Sequence, residues 1–305
     1  MAEDSGRGSG ELRRFLLDPH PVRGQWVQLR DAWNDMRAWQ QYPPAVEELL
    51  GQAAVASVLL AATLKFDGQL TLQLAGNGRV SLLVAQCTRD FELRAIAHHS
   101  LGAQESASFA ELIGDGRLVV TLETEHSGAR YQGVVPLQGA TLAECLENYF
   151  ASSEQLPTRL ALLADHTRAS GVLLQKLPQA AAGGEAQAAR AEAAWDEMQK
   201  NLLALPVATL RSAAVEEVAR QLCGEFDCHL HGGTPVRFAC RCSPERVTEL
   251  LRLLGEQEAQ AVLAEHGHVT VTCEFCAHPY RFDAIDIERV FAQAGTSPTP
   301  SRTLN

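Results

Sequence analysis

The spacing of apolar and polar positions changes several times along the chain, and each change predicts an element. A small, polar, Gly/Ser-rich stretch over residues 1–11 reads as a disordered lead-in, with order expected from near Leu12. Residues 22–29, VRGQWVQL, set Val22, Gly24, Trp26 and Gln28 against Arg23, Gln25, Val27 and Leu29, which predicts a strand with one face more polar. A short helix is expected over DAWNDMRAW. Pro43 and Pro44 then stand at first-turn positions of a second helix, in which Val46, Leu49, Leu50, Ala53 and Ala54 share a face. The small residues of AAVASVLLAAT would let neighbouring backbones come close, as in a core helix.

From Phe66 to about Val135 the period becomes two, punctuated by glycine: GQLTLQLAGNGRVSLLVAQ, FELRAIAHH, GRLVVTLETE and RYQGVV. This predicts an antiparallel sheet, with Asn77-Gly78 and Asp115-Gly116 supplying positive φ at tight turns. TLAECLENYFASSEQLP reads as helix ending before Pro157, and RLALLADH and GVLLQKLP read as two more strands with Gly171 near their bend. An N-terminal α+β domain over 12–178 results, an antiparallel sheet with helices. Residues 179–231 read as a helical linker, poor in large apolar side chains before Trp195; such helix depends for its order on what it docks against. A small C-terminal zinc-binding module over 232–293 and a disordered tail over 294–305 complete the expected organisation.

Composition narrows the function classes. With 46% hydrophobic and 21% charged residues, 305 residues can bury one full core or two. The longest apolar run, Ala53 to Leu64, is stopped by Lys65 and Asp67 short of a bilayer's thickness, so no membrane span is expected. The N-terminal stretch shows no apolar segment behind its charges, which leads us to expect a cytoplasmic protein. In a reducing compartment, eight cysteines suggest metal binding, redox chemistry or buried thiols more than a static disulfide framework. A formal charge of -11 disfavours nucleic acid as a partner.

Four of the cysteines, Cys240, Cys242, Cys273 and Cys276, form a CxC and a CxxC. Between the pairs, Ser243 and Pro244 start a helix with Val247, Leu250, Leu251 and Leu254 on one stripe; Gly255 ends it, EQEAQAVLAEHG adds about three turns, and HVTVT reads as a strand into Cys273. Four thiolates around zinc make a closed tetrahedron with no place for water or substrate, so a structural or sensing metal is expected rather than a catalytic one. The alternative is four reduced thiols packed as small hydrophobes, against which the polar neighbours Arg241, Ser243 and Glu274 argue. His266, His268 and His278 lie near, but the shell is already complete. A module of this size has an intrinsic stability of roughly 3–9 kcal/mol. Structural zinc contributes about 10–16 kcal/mol. Sulfurs on a zinc tetrahedron stand about 3.8 Å apart and a disulfide needs about 2.05 Å, so oxidation must eject the metal and unfold the module. Cys223 and Cys228, with His229 and His231 nearby, allow a second site to be drawn, but core-facing neighbours favour buried structural thiols; Cys87 and Cys145 read as core.

Along these residues the sequence resembles the redox-regulated 33 kDa heat-shock protein family of holdase chaperones. CRCSPER, LAEHG and CEFCAHPYRFDAIDIERVF follow its C-terminal pattern, and TLKFDGQLTLQLAGNG, ARYQGVVPL and LENYFASSEQLPTRL resemble its N-terminal domain, so the likeness covers nearly all of 12–293. The resemblance implies an ATP-independent chaperone, not an enzyme, that is inactive while reduced and zinc-bound. It also implies that Cys240 pairs with Cys242 and Cys273 with Cys276 on oxidation. Zinc then leaves, the module and linker lose structure, and apolar surface becomes available to unfolding client proteins, with a homodimer associated with the active form. Two other readings remain: a static zinc-ribbon adaptor that holds a partner constitutively, and a thiol oxidoreductase using the CxxC from Cys273 to Cys276. No Ser/His/Asp set, phosphate-cradling loop or carboxylate pair stands out.

Overall fold

The computed structural model describes residues 10–64, 66–124, 128–178 and 184–292. Residues 1–9 of the expected lead-in, the first residues of the linker and the tail over 294–305 lie outside the described residues. Contacts divide the chain into two units, one ending at Ala239 and the other starting at Cys240.

The first unit is built on strands β1 (Gly10–Asp18), β2 (Val22–Leu29), β3 (Gly68–Ala75), β4 (Val80–Thr88), β5 (Glu92–His99), β6 (Arg117–Thr124), β7 (Arg130–Val135), β8 (Thr158–Ala164), β9 (Ala169–Lys176), β10 (Asp227–Leu230) and β11 (Thr234–Phe238). They form one sheet in the order β7-β6-β3-β4-β5-β11-β1-β2-β9-β8, with β10 also on β1. Every pairing is antiparallel except β11 with β5, where Arg237 and Phe238 register with Glu92 and Leu93. Strand β11 also pairs with β1, Gly10 opposite Val236, and so joins the two halves of the sheet. Residues 232–239, expected in the C-terminal module, therefore lie with the first unit, and Gly10 and Glu11, expected in the lead-in, belong to β1. Both shifts have one cause: these short segments are held by partners more than a hundred residues away, which local patterning does not reveal.

Helix α1 (Asp31–Arg37) leads into α2 (Pro44–Thr63), with Pro43 at the N-cap and Pro44 in the first turn. Helix α2 is buried on nearly every side, from Val46 through Leu50, Val55 and Leu59. A helix apolar all round has to be a core helix or a membrane span. By length and composition α2 could be either, because helix continues N-terminal to the run that stops at Leu64; 78% of its most apolar window is buried in the fold. Close approach shows at β9: a side chain on Gly171 would meet Val55 Cγ1 at 2.6 Å. Gly171 thus lies inside a strand against α2, not at the bend, which is Asp165–Arg168.

The sheet half formed by β1, β2, β8 and β9 is covered on both faces, which is why the more polar face expected of β2 is not exposed. Leu12, Val27, Leu29 and Leu173 face the core around α2. Phe15, Leu17, Val22, Trp26, Val172 and Leu174 face a second core. That second core is closed by α5 (Glu185–Ala204), α6 (Val207–Ser212) and α7 (Val215–Cys223). Helix α5 reaches it with Ala194, Trp195, Met198 and Leu202, so the helices expected as a linker are docked. Polar contacts supplement the apolar ones: Gln28 Nε2 donates to the Arg211 carbonyl at 3.1 Å and Ser170 Oγ to the Leu210 carbonyl at 2.7 Å.

Helices α3 (Phe109–Ile113) and α4 (Leu142–Tyr149) complete this unit, α4 running into a π-helical turn at Phe150–Glu154. The turns at Gly78 and Gly116 work differently from expectation. Positive φ falls on Gly114, at +55°, and the Asp115 N–H donates to Asn77 Oδ1 at 2.7 Å. Gly78 is needed for close approach, since a Cβ there would lie 2.5 Å from the Gly114 nitrogen.

The second unit comprises α8 (Pro244–Leu254), α9 (Glu256–His266), β12 (Val269–Thr272), β13 (Pro279–Phe282) and α10 (Ala284–Ala292). Its core is Val247, Leu251, Ala259, Val269, Phe282, Ile287 and Val290. Of the stripe expected on α8, Leu250 and Leu254 are 54% and 56% exposed. Too few elements are present to cover more than one narrow ridge of the helix.

Candidate metal centre

Local sequence explains how each cysteine is placed. Cys240 and Cys242 leave the end of β11 just before α8, whose start is fixed by Ser243 Oγ accepting from the Arg246 N–H at 3.3 Å and by Pro244 in the first turn. Arg246 Nη1 reaches back to the Arg241 carbonyl at 2.6 Å, holding the residue between the two cysteines. Cys273 and Cys276 occupy the tip of the β12–β13 hairpin, in which Thr272 faces Pro279. That tip is a tight knuckle: the Cys273 N–H donates to the His278 carbonyl at 3.0 Å, and the Ala277 N–H to the Cys273 carbonyl at 2.7 Å. Ala277 sits at φ +52°, a region costly for a residue with a Cβ, so the surrounding bonds must impose it.

The four sulfurs lie within 4.8 Å of one another, each cysteine half-buried. Cys240 Sγ is 3.6 Å from Cys273 Sγ and Cys242 Sγ is 3.5 Å from Cys276 Sγ. These edges approach the roughly 3.8 Å of a zinc-thiolate tetrahedron with bonds of about 2.3 Å. All four are free thiols. The donor set fits a soft or borderline divalent ion and fills its shell, which leaves no site for a substrate.

The sulfurs differ in ionisation. Burial opposes a thiolate at Cys240, but the Cys242 N–H and the neighbouring thiols outweigh it and bring its pKa down to about 7. Burial pushes Cys273 and Cys276 up, and the Cys240 thiol adds to the rise at both. One sulfur is thus primed to lose its proton first while its neighbours donate to it.

Tyr280 on β13 was not singled out by sequence. Its hydroxyl hydrogen-bonds Cys242, which together with nearby sulfur charge pushes the phenol up, and its ring meets His278 edge-on at 4.7 Å between centroids. Only its place two residues beyond a histidine that follows the CxxC pointed to it. His266, His268 and His278 are not in the sulfur cluster. Cys87 and Cys145 are buried in the first unit, as expected; Cys223 is buried and Cys228 half-buried, both far along the chain from the CxxC.

Residues 10–283 match the family model described as Hsp33 protein. A 33 kDa chaperonin of Shewanella loihica is 40% identical over 288 residues, spanning 94% of this chain and 98% of that protein. Another from Pseudomonas paraeruginosa is 41% identical over 297 residues, spanning 97% and 98%. The crystal structure of the 33 kDa chaperonin (heat shock protein 33 homolog) of Thermotoga maritima aligns with a TM-score of 0.79 at 23% identity, covering 95% of this chain and all of that one, and shares the fold.

Proposed function

The chain belongs to the Hsp33 family, and on that premise we propose that it is a redox-regulated, ATP-independent holdase chaperone. The observation that carries this reading is the four-sulfur cluster at the base of a unit with a very small apolar core.

In the reduced protein, Cys240, Cys242, Cys273 and Cys276 hold zinc. A bound zinc ion would supply four metal–thiolate bonds that tie the start of α8 to the β12–β13 hairpin. The N–H groups of Phe275, Cys276 and His278 at the hairpin tip, together with Tyr280, act on the sulfurs and would orient them toward a common centre. Under peroxide, Cys240 pairs with Cys242 and Cys273 with Cys276, each pair of thiolates giving up two electrons to one hydrogen peroxide, which takes up two protons from solvent and leaves as two waters. Closing a disulfide draws two sulfurs to about 2.05 Å, so the tetrahedral ligand set no longer exists. The second unit then unfolds, and the α5–α7 layer loosens from the first.

What is switched is access to apolar surface. Phe15, Leu17, Val22, Trp26, Val172 and Leu174 on the sheet, with Trp195, Met198 and Leu202 on α5, offer one broad buried face. Once uncovered, such a face binds unfolding client proteins and can support a homodimer. The site performs no chemistry on a substrate, and the protein acts in the reducing cytoplasm. Chaperone assays on reduced and peroxide-treated protein with mild heat test this. Suppression of client aggregation only after oxidation is expected; equal activity in both forms would instead favour a constitutive zinc-ribbon adaptor.

A further inference from the structure

A second pair of cysteines meets outside the four-sulfur cluster. Cys223 closes α7 and Cys228 is the second residue of β10. Gly224, at φ +60°, and a hydrogen bond from the Phe226 N–H to the Cys223 carbonyl at 3.0 Å turn the chain back on itself. The two thiols are thereby brought close enough to act on each other's ionisation. Both belong to the core between the sheet and α5–α7, and β10 is itself held on β1 with Cys228 opposite Leu17.

Their surroundings differ in a way that assigns roles. Cys223 is 2% exposed, and the neighbouring Cys228 thiol together with burial pushes its pKa up. Cys228 is half-buried and so the more accessible of the two, and the neighbouring Cys223 thiol lowers its pKa against the effect of burial. An accessible, more acidic thiol next to a resolving thiol is the arrangement of a peroxide-sensitive pair.

We propose that Cys223 and Cys228 are a third redox pair, closing a disulfide under peroxide that staples the end of α7 to β10 within the first unit. The Cys228 thiolate attacks one peroxide oxygen; the O–O bond breaks, hydroxide leaves as water after protonation, and Cys228 becomes a sulfenic acid. The Cys223 sulfur then attacks the Cys228 sulfur, forming the S–S bond, and the sulfenic oxygen departs as water with the Cys223 proton. Two thiols and one hydrogen peroxide give one disulfide and two waters. Because this pair lies in the unit that ends at Ala239, its closure does not depend on disassembly of the cluster that starts at Cys240. The α5–α7 layer then keeps one covalent anchor to the sheet in the oxidised protein.

The test uses the full-length reduced protein, treated with hydrogen peroxide, alkylated with N-ethylmaleimide and digested with trypsin. The peptide from Gln221 to Arg237 contains Cys223 and Cys228 and no other cysteine. We expect it to shift from doubly alkylated to unalkylated with the loss of two hydrogens, including at peroxide doses that leave the Cys273–Cys276 peptide alkylated. In Cys223→Ala, Cys228 should accumulate as a sulfenic acid captured by dimedone; in Cys228→Ser, Cys223 should stay alkylatable. The proposal is overturned if the peptide remains doubly alkylated after the cluster has oxidised, or if Cys228 goes to sulfinic acid while Cys223 stays alkylated. It is equally overturned if the disulfide forms only once the cluster has been lost.

Discussion

Stripping the metal from reduced protein with a strong chelator should unfold the second unit and leave the β3, β4 and β6 part of the first unit's sheet folded. The magnitude follows from how little apolar surface that unit buries. Val247, Leu251, Val269, Phe282, Ile287 and Val290 are its large buried side chains, with Ala259 the one small addition. At about 1.5–3 kcal/mol each, the six contribute roughly 9–18 kcal/mol of transfer free energy before any entropy is counted. Structural zinc contributes about 10–16 kcal/mol, as much as that entire core. A unit of this length has a net stability of only about 3–8 kcal/mol. Loss of the metal therefore exceeds the net stability by at least about 2 kcal/mol, leaving about one folded copy in thirty. Hydrogen exchange read by mass spectrometry tests this on the full chain. Amides of α8, α9 and α10 should lose protection on chelation, while those of β3, β4 and β6 keep theirs. Protection of α8–α10 that survives complete metal removal would refute the reasoning.

Other outcomes follow from single contacts. Trp195→Ala, which removes a nearly buried ring from the second core, should cost about 3–5 kcal/mol locally and give partial aggregation suppression without oxidant. A variant whose α5 loses exchange protection but suppresses nothing would separate that surface from client binding. Tyr280→Phe deletes the hydrogen bond to Cys242 and should weaken zinc binding about 10–100-fold in a chromogenic chelator competition, with the unit still folded at saturating zinc. At Asp165, burial raises the pKa, but hydrogen bonds from the Thr167 hydroxyl and the Thr167 and Arg168 N–H groups, with the Arg211 charge, bring it below its ordinary value. Its contribution is present above the unfolded value of about 4 and is lost as pH falls through the lower folded value. Thermal melts of Asp165→Asn should therefore depend less on pH below about 4 than those of the parent.

The parts legible in sequence were those written locally. Period-two runs marked the strands from Gly68 to Val135, and Pro44 and Ser243 marked helix starts that the structure keeps. The CxC and CxxC pointed to one another because metal ligands come in close pairs, and their sulfurs do meet. Long-range pairing was not legible. Nothing in TPVRF says that Val236 will sit opposite Gly10, or that Phe238 will continue β5 in parallel. Helix α5 is rich in alanine, which carries little apolar area and so makes it look underpacked in sequence; its order comes from the sheet face it covers, to which Trp195, Met198 and Leu202 are its large side chains. Gly78 and Gly171 were read as turn residues because glycine permits positive φ, whereas both serve close backbone approach. The contact between Cys223 and Cys228 was hidden for a related reason: helical and strand periodicities place each in a core without showing that the turn at Gly224 brings the thiols together.

Under the proposed function, oxidation at four cysteines and exposure of a client-binding face are one event. Zinc release, followed with a chromogenic chelator, and light scattering of an aggregating client should be recorded together on one peroxide-treated, mildly heated sample. Suppression of scattering is expected to rise in step with zinc release, and reduction with added zinc to reverse it. Zinc released in full with no suppression, or suppression already complete in the reduced, zinc-loaded protein, would contradict it.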